Sequence, residues 1–75
     1  MTLNDLADIL AKMYKTAPKG EAVLMIHLFG VKYADEIRSL GLNSREIVEA
    51  SGLKITYKTE VNKGMNLSKY VIERV

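Results

Sequence analysis

The hydrophobic pattern of the N-terminal segment is that of an amphipathic helix. Apolar residues recur at spacings of three and four, which places them on one side of a helix; they are Leu3, Leu6, Ile9, Leu10, Met13 and Tyr14. The side chain of Thr2 or Asn4 can cap the first turn, and Pro18 cannot continue the hydrogen-bond ladder. We therefore predict a first helix over about residues 3–16.

The next apolar run, Ala22 to Phe29, is compatible with a buried strand or a buried helix. Periodicity does not separate the two at this length, and we favour a short strand at about 24–28. In residues 33–40 (YADEIRSL) the apolar and charged side chains fall on opposite sides of a helix. This segment predicts a second helix over about 32–40.

A tight turn at Gly41-Leu42-Asn43 follows the second helix. Glycine readily adopts the left-handed conformation that ends a helix. Asn43 stands three residues before Glu46, which is the spacing of a capping box, and Ser44 competes with it for the cap position. A third helix is expected over about 44–51.

The C-terminal third has the pattern of a β-hairpin. From Leu53 to Val61 apolar and polar residues alternate, as in a half-buried strand, and Asn62-Lys63-Gly64 supplies a turn. Residues 67–75 are rich in β-formers, although their apolar positions also fit helical spacing, and we favour a strand. The hairpin is predicted at about 54–61 and 67–74, so the fold class is α+β with the order α-β-α-α-β-β.

Composition is that of one folded domain spanning residues 1–75. Seventy-five residues with 48% hydrophobic and 27% charged side chains suit a small globular domain. The absence of cysteine excludes disulfides and thiolate metal sites and fits a reducing compartment. The longest apolar run is far shorter than the roughly 20 residues of a membrane span, and no secretory leader is visible. We expect a cytoplasmic protein with no membrane partner.

Positive charge is concentrated in the second half of the chain. The formal net charge is only +2, and the segments before Asn43 nearly cancel. Between Asn43 and Lys69 the sequence contains five basic and three acidic residues, so this segment has a net charge of +2. A polyanionic partner would therefore meet this half of the chain.

Two short helices joined by a glycine turn and followed by a basic hairpin resemble the winged helix-turn-helix family. The motif covers Tyr33 to Gly52, with the hairpin as the wing, and the resemblance extends over almost the whole chain. The positions that match the apolar and turn pattern are Leu40, Gly41, Leu42, Ile47 and Ala50. Ile37 departs from the pattern, because the residue four before the turn glycine is usually small.

The resemblance implies a small DNA-binding module of the kind found in transcriptional regulators. Its third helix would enter the major groove of duplex DNA, and its wing would contact the backbone or the minor groove. Arg45 has the planar fork that binds guanine bidentately, and Asn43 or Ser44 would read a base or bind phosphate at the helix start. The lysines that would bind phosphates are Lys54, Lys58, Lys63 and Lys69.

Two carboxylates oppose this function. Glu46 and Glu49 on the same helix repel phosphates, so binding is expected to be weak unless a homodimer or a larger protein partner adds contacts. Lysines on the exposed face of a strand also serve simply as solubilising residues.

The alternative is a non-catalytic protein-interaction module or accessory subunit that uses the same fold without binding DNA. A cluster of apolar residues outside the core would favour it. The candidates for such a cluster are Val31, Val48, Met65 and Val71.

Neither an enzyme nor a metal or cofactor site is expected. His27 is the only histidine, and it lies in an apolar run, where a packed histidine is the commoner role. Asp35 and Glu36 are adjacent on a helix and point about 100° apart, so they do not converge on one substrate atom. No phosphate-binding glycine loop or nucleophile motif occurs.

Overall fold

Four α-helices form the part of the chain that the structure describes. A computed structural model describes residues 1–71. The helices are α1 (Leu3–Lys15), α2 (Ala22–Ser39), α3 (Ser44–Ser51) and α4 (Lys58–Leu67), and a 3₁₀ turn (Ile55–Tyr57) precedes α4. The helices α1 and α3 occupy almost the same ranges as the first and third helices expected from the sequence.

The predicted α+β class with a β-hairpin wing is wrong. Residues 1–71 contain no strand. The strand expected at 24–28 lies inside α2, which continues without a break through the helix expected at 32–40. The first hairpin strand, 54–61, is the 3₁₀ turn and the start of α4. Of the second, 67–74, the described part ends α4 and forms a turn, and residues 72–74 lie outside the described residues.

Helix α2 is continuous because its buried positions keep a helical spacing across the whole segment. These positions are Ile26, Phe29, Gly30, Ala34 and Ile37. Val23 and Leu24 are also apolar but face solvent. These exposed residues made the first half of the helix look uniformly apolar and concealed the helical period.

Helix α4 forms where alternation in the sequence indicated a strand. Val61 and Gly64 are buried one turn apart and Met65 packs against the core, so the side facing the protein repeats every three to four residues. Strand propensity depends strongly on context, and here packing against α2 prevails. Gly64 lies within α4 and has no positive φ, so the predicted turn at residues 62–64 is wrong.

The helices α2 and α4 touch through their backbones at two glycines. A Cβ atom on Gly30 would lie 2.5 Å from the Val61 carbonyl oxygen and 2.8 Å from the Gly64 Cα atom. A Cβ atom on Gly64 would overlap the His27 carbonyl oxygen. Only glycine at both positions permits this approach, which brings α4 onto α2.

The core lies among all four helices. Helix α1 packs against α2 and α3, and α4 packs mainly on α2. The fully buried large side chains are Leu6, Leu10, Ile26, Phe29, Ile37, Ile47, Val48 and Val61. This core sets the orientation of α3, whose outer face is the candidate site.

Candidate functional site

The turn between α2 and α3 is a glycine-terminated helix end of the Schellman type. Gly41 has φ +68°, and its N–H donates to the Arg38 carbonyl at 3.1 Å. The Leu42 N–H donates to the Ile37 carbonyl, also at 3.1 Å. These two bonds satisfy carbonyls at the end of α2 and reverse the chain within three residues. The prediction of a tight turn at this glycine is confirmed.

Asn43 caps the start of α3, which resolves its competition with Ser44. The Asn43 Oδ1 atom accepts from the Glu46 N–H at 2.9 Å, and the Glu46 carboxylate accepts from the Asn43 N–H at 3.2 Å. This reciprocal pair is a capping box. Ser44 is only 6% exposed, so its side chain offers little surface to a ligand.

The outer face of α3 is formed by Arg45, Glu46, Glu49 and Ala50, which are all exposed. Arg45 Nε donates to Glu49 Oε1 at 3.0 Å, and the two side chains are 66% and 58% exposed. Within residues 1–71 Arg45 makes no other ion pair or side-chain hydrogen bond. Its two terminal nitrogens, which form the fork that binds planar acceptors, therefore face solvent.

The lysines expected on a wing do not share a strand. Lys54 precedes the 3₁₀ turn, Lys58 begins α4, and Lys69 lies in the turn after α4. Lys63 lies within α4, where its Nζ atom is 3.5 Å from Glu60 Oε2. The structure therefore places Lys54 and Lys58 on either side of the 3₁₀ turn, and Lys63 and Lys69 further along the chain, on and after α4.

A tyrosine pair joins the start of α4 to the end of α1. The Tyr14 and Tyr57 hydroxyl oxygens are 3.1 Å apart, and their ring centroids are 5.4 Å apart. The hydrogen bond with Tyr14, together with burial, raises the pKa of Tyr57 above its ordinary value. Both rings are half-buried, and the contact spans 43 positions of the sequence.

The tyrosine contact brings the end of α1, with Lys12 and Lys15, to the segment that carries Lys54 and Lys58. The sequence did not indicate that Lys12 and Lys15 belong with the other two lysines. Lys12 and Lys15 lie in the last turn of α1, beside Tyr14, while Lys54 and Lys58 flank Tyr57. In the charge count along the chain, Lys12 and Lys15 were offset by two aspartates at the start of the same helix. The only sequence signal for them was the helical period of α1, which placed them together at its end.

A charged cluster lies where α4 crosses α2. His27 Nε2 is 2.6 Å from Glu60 Oε1, and Lys63 is paired with the other oxygen of the same carboxylate. The hydrogen bond from His27, reinforced by the charge of Lys63, lowers the pKa of Glu60 below its ordinary value. His27 is therefore a half-buried residue with a carboxylate partner on the neighbouring helix.

The four apolar residues that would have marked a docking surface do not gather outside the core. Val48 is fully buried, and Val31 and Met65 are half-buried. Only Val71 is exposed, at 46%. No helix within residues 1–71 is long and apolar enough to cross a bilayer.

Comparison with known proteins gives one family match. A family model described as an HTH-like domain matches residues 2–74. No curated protein and no solved structure matches the chain significantly.

Proposed function

The chain belongs to the HTH-like domain family, and from this we propose that it binds duplex DNA through the outer face of α3. The observation that carries the proposal is the arrangement of α2, a three-residue turn and a capped α3 whose outer face is exposed. In helix-turn-helix proteins the second helix of the motif lies in the major groove, with its N-terminal residues at the base edges. A non-catalytic role in regulating transcription is consistent with this mode of binding.

Arg45 is the residue proposed to read a base. It lies in the first turn of α3, and its terminal nitrogens face solvent, so they can reach the O6 and N7 atoms of guanine. The ion pair with Glu49 uses Nε and orients the side chain without occupying these nitrogens. Asn43 remains the residue proposed to approach the backbone at the helix start, with its Oδ1 atom committed to the cap.

Binding by one copy is expected to be weak and strongly salt-dependent. Glu46 and Glu49 repel phosphates beside Arg45, and the net charge of the chain is only +2. Affinity must then come from lysines outside α3 or from a second copy or larger partner that adds contacts.

Titration of a labelled mixed-sequence duplex at two salt concentrations tests whether DNA is the partner. We expect binding that weakens as salt rises, and a loss of affinity in Arg45→Ala. Lys19→Ala is the matched control, because it removes one positive charge from an exposed turn outside α3. The absence of binding by the wild type at low salt would refute the proposal and favour the protein-docking alternative.

Enrichment from a randomised duplex pool tests whether Arg45 reads a base. We expect the wild type to enrich a site with a defined guanine, and Arg45→Lys to lose that preference while it keeps most of its salt dependence. Lysine retains the charge but lacks the planar fork. An unchanged enriched site in Arg45→Lys would assign Arg45 to the phosphates instead.

A further inference from the structure

We propose that the surface around the tyrosine pair, at the junction of α1 and α4, binds the DNA phosphate backbone beside the site of α3. This surface, here called the basic end, consists of Lys12, Lys15, Lys54 and Lys58 around Tyr14 and Tyr57. The inference rests on the proposed DNA-binding function and identifies the part of the molecule that supplies its affinity.

The first argument is that the lysines of the basic end have no internal partners. Within residues 1–71 none of the four makes an ion pair, and three are exposed while Lys58 is half-buried. Two of the other basic side chains considered for DNA binding differ in this respect, since Arg45 is paired with Glu49 and Lys63 with Glu60. Lys69, after α4, makes no ion pair within residues 1–71 either. Four of the lysines without an ion pair therefore lie at the end of α1 and in the residues around the start of α4.

The second argument concerns the tyrosine hydroxyls. Only one hydrogen is needed for the single hydrogen bond between Tyr14 and Tyr57. The hydrogen of the other hydroxyl has no acceptor among the described residues, so it can be donated to an external oxygen. Tyrosine hydroxyls are among the groups that bind phosphate oxygens in protein–DNA interfaces, and here the hydroxyl pair joins two segments that each carry two lysines.

The third argument is the position of the basic end relative to α3. Ser51, at the end of α3, is only four residues from the 3₁₀ turn that carries Tyr57, and α3 packs against both this turn and α1. Arg45 lies about 9 Å along the helix axis from Ser51. This separation between Arg45 and the end of α3 that adjoins the basic end corresponds to about three base-pair steps of B-DNA, which rises about 3.4 Å per base pair.

Two charge-matched double variants test the proposal by titration of the same duplex over a range of salt concentrations. Lys15→Ala/Lys58→Ala removes two charges from the basic end, and Lys63→Ala/Lys69→Ala removes two charges elsewhere on and after α4. In the first variant we expect affinity to fall by roughly tenfold per lysine near 0.1 M salt and the logarithmic salt slope to decrease by about 2. In the second we expect a much smaller change in both quantities.

Tyr14→Phe/Tyr57→Phe adds a test that depends on the hydroxyls rather than on charge. We expect weaker binding with an unchanged salt slope, because no cation is removed. Thermal unfolding of each variant checks that the fold is retained.

The results separate this inference from the function on which it rests. If the wild type binds DNA and both lysine variants lose affinity equally, then the proposed role of the basic end is refuted, while the proposed DNA binding is retained. If the wild type does not bind at low salt, then both are refuted.

Discussion

The carboxylate of Glu60 links α4 to α2. It accepts from His27 of α2 and is paired with Lys63 of its own helix. Both contacts favour the charged carboxylate, so the pKa of Glu60 is lower in the folded protein than in the unfolded chain. A group of this kind stabilises the fold at pH values above its unfolded pKa, which is about 4.3 for glutamate, and this contribution is lost as the pH falls through the folded pKa.

Glu60→Gln is therefore expected to destabilise the protein in a pH-dependent way. Near pH 5.5 the variant should have a lower free energy of unfolding than the wild type. The difference should be smaller at a second, more acidic pH below the unfolded pKa, because the contribution of Glu60 is lost as the pH falls through its folded pKa. Urea unfolding at the two pH values measures this difference. Glu36→Gln, at an exposed position of α2, is the control and should show little effect; a Glu60→Gln difference that does not depend on pH would contradict the prediction.

At the scale of elements, the close crossing of α2 and α4 depends on two residues without side chains, Gly30 and Gly64. The two helices approach until the Gly30 and Gly64 backbones touch, which places Val61 in the core and the start of α4 beside Tyr14. Glycine is otherwise unfavourable within a helix by about 1 kcal/mol relative to alanine. Both helices nevertheless carry a glycine at the crossing, because a Cβ atom at either position would collide with the backbone of the other helix.

Gly64→Ala should accordingly destabilise the protein although alanine is the better helix former. The added methyl group meets backbone atoms of α2, which cannot rotate away, and overpacking of this kind typically costs about 1–3 kcal/mol. Denaturant unfolding measures the change. The control is Asn62→Ala, at an exposed position of α4, which should leave the free energy of unfolding unchanged or raise it slightly. An equal rise in the free energy of unfolding of Gly64→Ala would contradict the prediction, because it would show that α2 and α4 can move apart without loss of stability.

At the scale of the whole molecule, the placement of charge matters more than its sum. A net charge of +2 predicts little attraction for a polyanion. In the folded chain, however, carboxylates neutralise Arg45, Lys63 and Arg38, and the four lysines of the basic end make no ion pair within residues 1–71. The attraction is therefore expected to be local and to depend on which face meets the DNA.

Glu49→Gln should strengthen DNA binding more than another substitution with the same change in net charge. It removes a carboxylate from the outer face of α3 and frees the Arg45 Nε atom, so we expect affinity to rise by about three- to tenfold at low salt. Glu21→Gln, which precedes α2 at an exposed position, is the matched control and should have a smaller effect. Equal gains in the two variants would show that net charge alone governs binding.

The sequence by itself determined the local features whose signals lie within a few residues. The period of Leu3 to Tyr14 defines α1, the left-handed glycine at position 41 defines the turn, and the spacing of Asn43 and Glu46 defines the start of α3. Each depends on hydrogen bonds or side-chain spacing inside one turn of backbone, so no distant residue is needed to establish it. The helix-turn-helix and the exposure of Arg45 follow from these features.

Only the tertiary structure decided the remaining elements and the composition of the basic end. Residues 24–28 and 54–61 contain β-branched and apolar residues that suit a strand, and they become helical because Gly30 and Gly64 let α2 and α4 pack face to face. The tyrosine contact that joins the two pairs of lysines spans 43 positions. Such contacts depend on the shape of a neighbouring helix, which no local pattern in the chain specifies.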